Sequence, residues 1–263
     1  MMSCNLDNIK VVLVDLSGTL HIDKIAVPGS QAALQRLRVA GLKVRFVTNT
    51  TKESKGFLLN RLNKLGFAIE GSEIFSSLTA ARQLIEKKKS NPILLLENEA
   101  LEDFKGIPTK EGQPNCVVIG LAPSMFTYEV LNTAFRAVLD GATIIAIHKG
   151  RYYKRADGLA LGPGPFVAAL EYATNRTAVT VGKPEKSFFL SAFEDLKVNP
   201  EEVVMIGDDV RDDVEGAVKA GLFAILVKTG KYRTGDEEIA ISLSAVAVKD
   251  FAAAVDHVLS NRR

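Results

Sequence analysis

The sequence predicts an α/β protein built on a doubly wound parallel sheet. Three observations predict it. Short β-branched runs without polar alternation, such as "VVLVD" (11–15), have the composition of strands buried on both faces. Segments between them carry apolar residues at helical spacing and close on glycine. Several of the strand-like runs end in carboxylates, hydroxyls or amides, at the place where open α/β sheets hold their ligands.

Taken in order, "VVLVD" is a buried strand, and "GSQAALQRLRVAG" (29–41) is a helix ended by Gly41. "KVRFVTNT" (43–50) is the next strand, and "SKGFLLNRLNKLG" (54–66) an amphipathic helix ended by Gly66. Strand–helix–strand–helix at this pitch requires right-handed crossovers between parallel strands. In the middle, "PILLLEN" (92–98), "CVVIGLA" (116–122) and "ATIIAIHKG" (142–150) read as strands, and "TYEVLNTAFRAVLDG" (127–141) as a helix. "RYYKRADGLALGPG" (151–164) reads as a basic hairpin or loop, followed by a helix over 165–175 whose first turn suits Pro165. "TAVTVGKP" (177–184), "EEVVMIGDD" (201–209) and "FAILVKTG" (223–230) return to strands, with "VEGAVKAG" (214–221) a helix between the last two. The expected organisation is a discontinuous core, 1–80 and 180–263, with an inserted module over 81–179.

Composition narrows the function. A net charge of +2, with 24% charged residues, gives no global field for nucleic acid or membrane surface. No apolar run approaches the roughly 18 residues of a membrane span. "MMSCNLDNIK" lacks the basic flank and apolar core of a secretory signal. Cys4 and Cys116 are too few for a disulfide framework, and they read as a surface thiol and a strand thiol. A reducing, cytoplasmic setting is therefore expected.

The chemistry lies at four stations: Asp15; Thr48, Asn49 and Thr50; Lys183; and Asp208, Asp209, Asp212 and Asp213. Each alone is ordinarily a helix cap, a turn residue, a surface lysine or a solvated acidic loop. Together they match the needs of phosphoryl transfer. A carboxylate can attack phosphorus and form an aspartyl phosphate that water later cleaves. The dianionic substrate repels that carboxylate, so cations are needed; acids at two strand ends can hold Mg²⁺, which prefers oxygen ligands. Lys183 supplies a fixed positive charge, while Thr48 and the backbone around Asn49 can donate to phosphoryl oxygens.

The stretches "DLSGTL", "FVTNTT", "VGKPEKSFF" and "MIGDDVRDD" resemble, in order and spacing, the four motifs of the haloacid dehalogenase superfamily of phosphatases. The resemblance spans nearly the whole chain. The insert is similar to the α/β C2 cap of the NagD-like branch, so a C2-type cap over a doubly wound core is expected. Carried over by motif, the resemblance makes Asp15 nucleophile and metal ligand, with Ser17 offering its backbone carbonyl to Mg²⁺ and Asp208 the second metal carboxylate. It gives phosphate binding to Thr48, Asn49 and Thr50, and orientation of phosphate and nucleophile to Lys183. Asp213 stands behind the metal ligands, and Asp209 or Asp212 can share that work. The implied partner is a small phosphorylated substrate or pyrophosphate, with no nucleic acid or membrane, and a homodimer through the cap is compatible with it.

Ser17 departs from the pattern. The wider family usually carries an Asp there as general acid and base, two residues beyond the nucleophile and on its side of the strand. A hydroxyl does not give up a proton readily at neutral pH, so leaving groups that depart as weak bases are expected to be favoured. The same feature sustains a rival reading, a phosphate- and metal-binding module with weak catalysis. A dehalogenase is the third reading, and the acid cluster would be superfluous to it. "GPGPF" (162–166) lacks the rest of a dinucleotide loop and any suitably spaced ribose-binding acid. His21 and His148 are candidate donors near the site or plain structural residues; His257 lies in an amphipathic stretch and reads as structural. The cations of 148–158 are either a solvated cap edge or substrate-selecting.

Overall fold

A computed structural model of the protein describes residues 6–51, 53–107, 112–155 and 157–262, with the side chains of Lys154 and Arg155 outside that description. Cys4 and Lys52 lie outside the described residues, as do two of the cationic side chains of 148–158, Lys154 and Arg155; His148, Lys149 and Arg151 are described. The strands are β1 (Val11–Val14), β2 (His21–Ile22), β3 (Ile25–Ala26), β4 (Lys43–Thr48), β5 (Ile74–Ser76), β6 (Pro92–Leu95) and β7 (Cys116–Ile119). They continue as β8 (Thr143–Ala146), β9 (Tyr152–Arg155), β10 (Gly158–Leu161), β11 (Val179–Thr180), β12 (Val203–Gly207), β13 (Phe223–Val227) and β14 (Val246–Val248). The chain forms two compact units: Met1–Thr48, Leu59–Phe75 and Lys183–Arg263 make the first, and Asn49–Leu58 and Ser76–Gly182 the second.

The first unit is built on a six-stranded sheet of order β14-β13-β12-β1-β4-β5. β1 runs parallel to β12 and β4, which flank it, with Val14 paired to Ile206 on one side and Phe46 on the other. β13 and β14 continue the parallel pairing. All of β1 and β12 are buried, which accounts for their unbroken apolar sequences: helices cover both faces, so no position is left for a polar residue. The helices Ser30–Val39 and Phe251–Ser260 pack together, as do Lys186–Ser191 and Gly216–Ala220. The parallel register brings the carboxyl ends of β1, β4, β12 and β13 to one edge.

The second unit repeats the plan on a smaller scale. Its sheet has the order β11-β8-β7-β6, parallel throughout. Alternation along the strands separates two cores. Val117, Ile119, Ile144 and Ala146 pack with Ala134, Val138, Val167 and Leu170 of the helices Tyr128–Leu139 and Gly164–Thr174. Cys116, Val118 and Ile145 pack with Leu78, Ala81 and Ile85 of the helix Ser77–Lys88, and with Phe104. Cys116 is thus the strand thiol the sequence predicts, and burial pushes its pKa up. The 151–164 segment is an antiparallel hairpin, with Tyr152 opposite Leu161.

The α/β class is borne out, with differences in detail. The predicted strands are shorter, because each sequence run includes the loop that leaves the sheet. The helix expected over 214–221 is a π-type turn over Val210–Glu215 leading into an α-helix at Gly216–Ala220. Among the described residues no helix is long and apolar enough to cross a membrane.

Candidate active site

Asp15 leaves β1 with its backbone N–H donating to the Ile206 carbonyl at 2.9 Å, so its position is an extension of the sheet. Asp208 follows the last residue of β12, the adjacent strand. Asp213 comes from the π-type turn that begins there, a turn capped by Asp209, whose Oδ1 accepts from the N–H groups of Arg211 and Asp212. The wider turn carries Asp213 inward rather than leaving it with the solvated acids. Gly207 makes room for it, since a Cβ there would lie 2.3 Å from Asp213 Oδ2.

Lys183 joins these elements. Its Nζ donates to Asp15 Oδ1 at 2.5 Å, to Asp213 Oδ1 at 2.7 Å and to the Val47 carbonyl at 3.3 Å. All three charged residues are buried. Burial alone would lower the ammonium's pKa, but the carboxylates of Asp15 and Asp213 override it and hold Lys183 above its ordinary range. The acids show the converse. Burial, then the charges of Asp15 and Asp213, push Asp208 up; burial raises Asp213 against the pull of Lys183. Asp15, Asp208 and Asp213 each bring one carboxylate oxygen within 4.8 Å of the others, facing a single buried ammonium. That excess of buried negative charge on hard oxygen donors fits a divalent cation.

One oxygen of Asp208 is closely enclosed. Oδ2 accepts the Lys231 backbone N–H at 2.6 Å, and a Cβ on Gly18 or Gly230 would lie 2.0 or 2.1 Å from it. Both glycines have positive φ, +99° and +56°. Thr229 Oγ1 donates to the Gly18 carbonyl at 2.5 Å, which ties the loop after β13 to the turn after Asp15.

A haloacid dehalogenase-like hydrolase model matches residues 12–106, and a HAD-hydrolase-like model matches 180–254. Haloacid dehalogenase-like hydrolase domain-containing protein 2 of Rattus norvegicus is 62% identical over 253 residues, covering 96% of this chain and 97% of that protein. The chain belongs to the haloacid dehalogenase-like hydrolase family. The phospholysine phosphohistidine inorganic pyrophosphate phosphatase of Xenopus laevis is 40% identical over 263 residues, covering 97% of each. A 4-nitrophenylphosphatase from Thermotoga maritima superposes with a TM-score of 0.87 at 26% identity, covering 96% of this chain and 98% of that one. The protein is thus an enzyme of this hydrolase and phosphatase family, with the fold of its NagD-like members.

In this haloacid dehalogenase-like hydrolase, Asp15, Lys183, Asp208 and Asp213 come together in the first unit, and Thr48 ends the neighbouring strand β4, buried. Asn49 and Thr50 belong to the second unit. There Asn49 packs on Gly182, where a Cβ would lie 2.5 Å from its Oδ1, and the Thr50 carbonyl accepts from Ser77 Oγ at 3.2 Å. Ser17 is exposed and bridges to His21. Asp209 caps the π-type turn and pairs with Lys231 at 3.1 Å; burial opposes its charge, but Lys231 and the capping N–H groups hold its pKa below the usual range. Asp212 is pushed up by burial and by Asp209. His21 is buried, with Nδ1 on the Asp23 carbonyl at 3.0 Å and Nε2 facing Arg61 at 3.3 Å. His148 accepts the Gly150 N–H in the second unit.

Sequence reasoning missed Gly18, Thr229, Gly230 and Lys231. The signal available was "KTGK", a glycine between polar residues directly after a buried strand. It reads as an ordinary turn until β13 is known to lie beside β12.

Proposed function

We propose that the protein is a Mg²⁺-dependent phosphatase that works through an aspartyl-phosphate intermediate on Asp15. The observation that carries this reading is the buried Lys183 ammonium bridging Asp15 and Asp213, beside Asp208. A structural ion pair has no need of a third buried acid, whereas phosphoryl transfer needs a fixed cation, a nucleophile and a metal site in one place.

Asp15, at the end of a rigid central strand, is aimed by Lys183. Its carboxylate oxygen bonds to phosphorus while the bond from phosphorus to the leaving oxygen breaks, and the electron pair departs with that oxygen. Water then attacks the same phosphorus, the acyl–phosphate bond to Asp15 breaks, and inorganic phosphate is released. Lys183 stays charged throughout and offsets the negative charge that builds on the phosphoryl oxygens. Thr48, Asn49 and Thr50 hold those oxygens. Mg²⁺, held by Asp15, Asp208 and the Ser17 carbonyl, would draw negative charge off the phosphoryl group. Asp213 keeps Lys183 in place, and Asp209 fixes the turn that carries Asp213. The second unit corresponds in kind to a C2-type cap module, and the substrate is a small phosphorylated molecule; pyrophosphate, which the name of the Xenopus laevis relative includes, is a substrate class whose leaving group suits Ser17.

The rival reading, a metal- and phosphate-binding module with weak turnover, draws on Ser17 alone. Asp15→Asn separates the two. Under the phosphatase reading it abolishes Mg²⁺-dependent hydrolysis of an aryl phosphate in a folded protein, and rapid quench of the wild type traps phosphate on Asp15. Undiminished turnover in the variant would sink the mechanism. Absence of turnover in wild type across phosphoramidates, pyrophosphate and aryl phosphates would favour the module.

A further inference from the structure

We propose that the loop Thr229–Lys231 is a clamp that fixes Asp208 by one oxygen, leaving the other alone to meet a cation and so favouring a small ion over a large one. The inference deepens the metal-dependent reading above and rests on it. Four contacts carry it. Asp208 Oδ2 accepts the Lys231 N–H at 2.6 Å. The same oxygen sits between the backbones of Gly18 and Gly230, in a slot where a Cβ from either side would come within 2.0 or 2.1 Å. The Thr229 hydroxyl ties the two walls together through the Gly18 carbonyl at 2.5 Å. Lys231 Nζ pairs with Asp209, the cap of the next turn, and anchors the far end of the loop.

A carboxylate binds a cation through both oxygens only if it can turn to present them equally. Asp208 cannot turn. Rotation would break a short N–H bond and drive an oxygen into backbone on either side. Both oxygens of Asp213 are already engaged, Oδ1 by Lys183 and Oδ2 by the Asp209 N–H at 3.1 Å, so it too cannot turn to present both to a cation. The site therefore offers few carboxylate oxygens, held singly. Mg²⁺ takes six ligands in a tight octahedron and keeps waters, so single-oxygen ligation suits it. Ca²⁺ takes six to eight ligands at longer distances, often including a two-oxygen carboxylate, and loses most from such a clamp. Thr229 and Gly230 act through Asp208; they are positioning residues.

The test uses the full chain, stripped with EDTA, and reads metal binding rather than turnover. Mg²⁺ and Ca²⁺ are titrated separately by calorimetry, with thermal midpoints in EDTA recorded for each variant. Thr229→Val removes the hydroxyl at nearly constant shape; it is expected to weaken Mg²⁺ binding by about tenfold, in the range for groups that orient metal ligands. Ca²⁺ binding falls less, so the preference for Mg²⁺ narrows. Thr229→Ser, which keeps the hydroxyl, restores it. Gly230→Ala moves both affinities in the same directions and further; should it not fold, the Thr229 pair decides alone. Unchanged Mg²⁺ affinity in Thr229→Val, equal losses for the two ions, or failure of Thr229→Ser to restore the preference overturns the clamp. Wild type that binds neither ion overturns the metal reading itself, a result distinct from the loss of preference.

Discussion

Replacing Lys183 with methionine tests whether the buried ammonium is what allows three acids to share one site. Methionine keeps much of the stem's volume and removes the charge. The pairs it breaks are deeply buried: the side chains of Lys183, Asp15 and Asp213 are 4%, 8% and 1% exposed, with contacts of 2.5 and 2.7 Å. Removing one partner of a buried pair typically costs about 3–5 kcal/mol, because the remaining charge stays in a poor solvent. For a chain of this size class that corresponds to a loss of about 6–20 °C in thermal midpoint. Proton uptake limits the loss. Asp208 and Asp213 already have folded-state pKa values above the ordinary carboxylate value, chiefly through burial. Between the unfolded and folded values the native state binds more protons, so stability falls as pH rises through that window. Without the ammonium that lowers Asp213 the window extends upward, so the deficit of Lys183→Met is greatest near pH 8 and shrinks toward pH 5. Each pH unit returns at most about 1.4 kcal/mol per proton taken up. Urea denaturation in EDTA at the two pH values measures this directly. A deficit below about 1 kcal/mol, the worth of an exposed ion pair, would refute the reasoning. So would a deficit identical at both pH values.

Two further substitutions probe the proposed phosphate contact of Asn49 and the position of Ser17. Gly182→Ala places a methyl 2.5 Å from Asn49 Oδ1 and 2.6 Å from the Ile147 carbonyl, so the Asn49 amide must turn away; KM for an aryl phosphate is expected to rise about tenfold, the cost of one hydrogen bond to a charged group. Steady-state kinetics with an unchanged KM would remove Asn49 from phosphate binding. Ser17→Asp is expected to raise turnover of alkyl phosphates by about 10²-fold or more, the usual scale of general acid catalysis, and of aryl phosphates far less. An equal gain for both classes would show that protonation of the leaving group is not what Ser17 withholds.

The strands that form the active-site edge were legible because burial on both faces forces an unbroken apolar run. Where such a run ends in an acid, as at Asp15 and Asp208, it marks the carboxyl edge at which an open α/β sheet holds its ligand. The parallel class followed from the helical segments between the runs. What stayed hidden depends on neighbours across the sheet. Nothing local to "KTGK" says that Gly230 faces Asp208 Oδ2, because β13 meets β12 only in the assembled sheet. From the residues alone the four acids in six residues look alike; only the family resemblance singled out Asp213, and the π-type turn is what separates them. Asp213 faces Lys183, Asp209 caps the turn, and Asp208 sits in the slot. Short strands such as β2 and β3, two residues each, carry too little periodicity to be seen at all.

The geometry around Ser17 also bears on where a leaving group could find a proton. His21 is tied to this turn by the backbone, through the Ser17–His21 bridge and the Gly18 N–H on the His21 carbonyl at 2.7 Å. Its ring is committed elsewhere. Arg61 has only donors, so Nε2 meets it with a lone pair, and the ring proton then sits on Nδ1, facing the Asp23 carbonyl. A ring engaged at both nitrogens is poorly placed to serve a departing oxygen. It acts as a brace between the β2–β3 hairpin and the helix Lys55–Lys64. If Asp15 attacks phosphorus as proposed, the Ser17 hydroxyl and a His21 ring engaged by Asp23 and Arg61 favour substrates whose leaving group departs unprotonated. On that reading the restriction falls on the substrate's leaving group and not on the phosphoryl group, whose charge Lys183 would meet in either case.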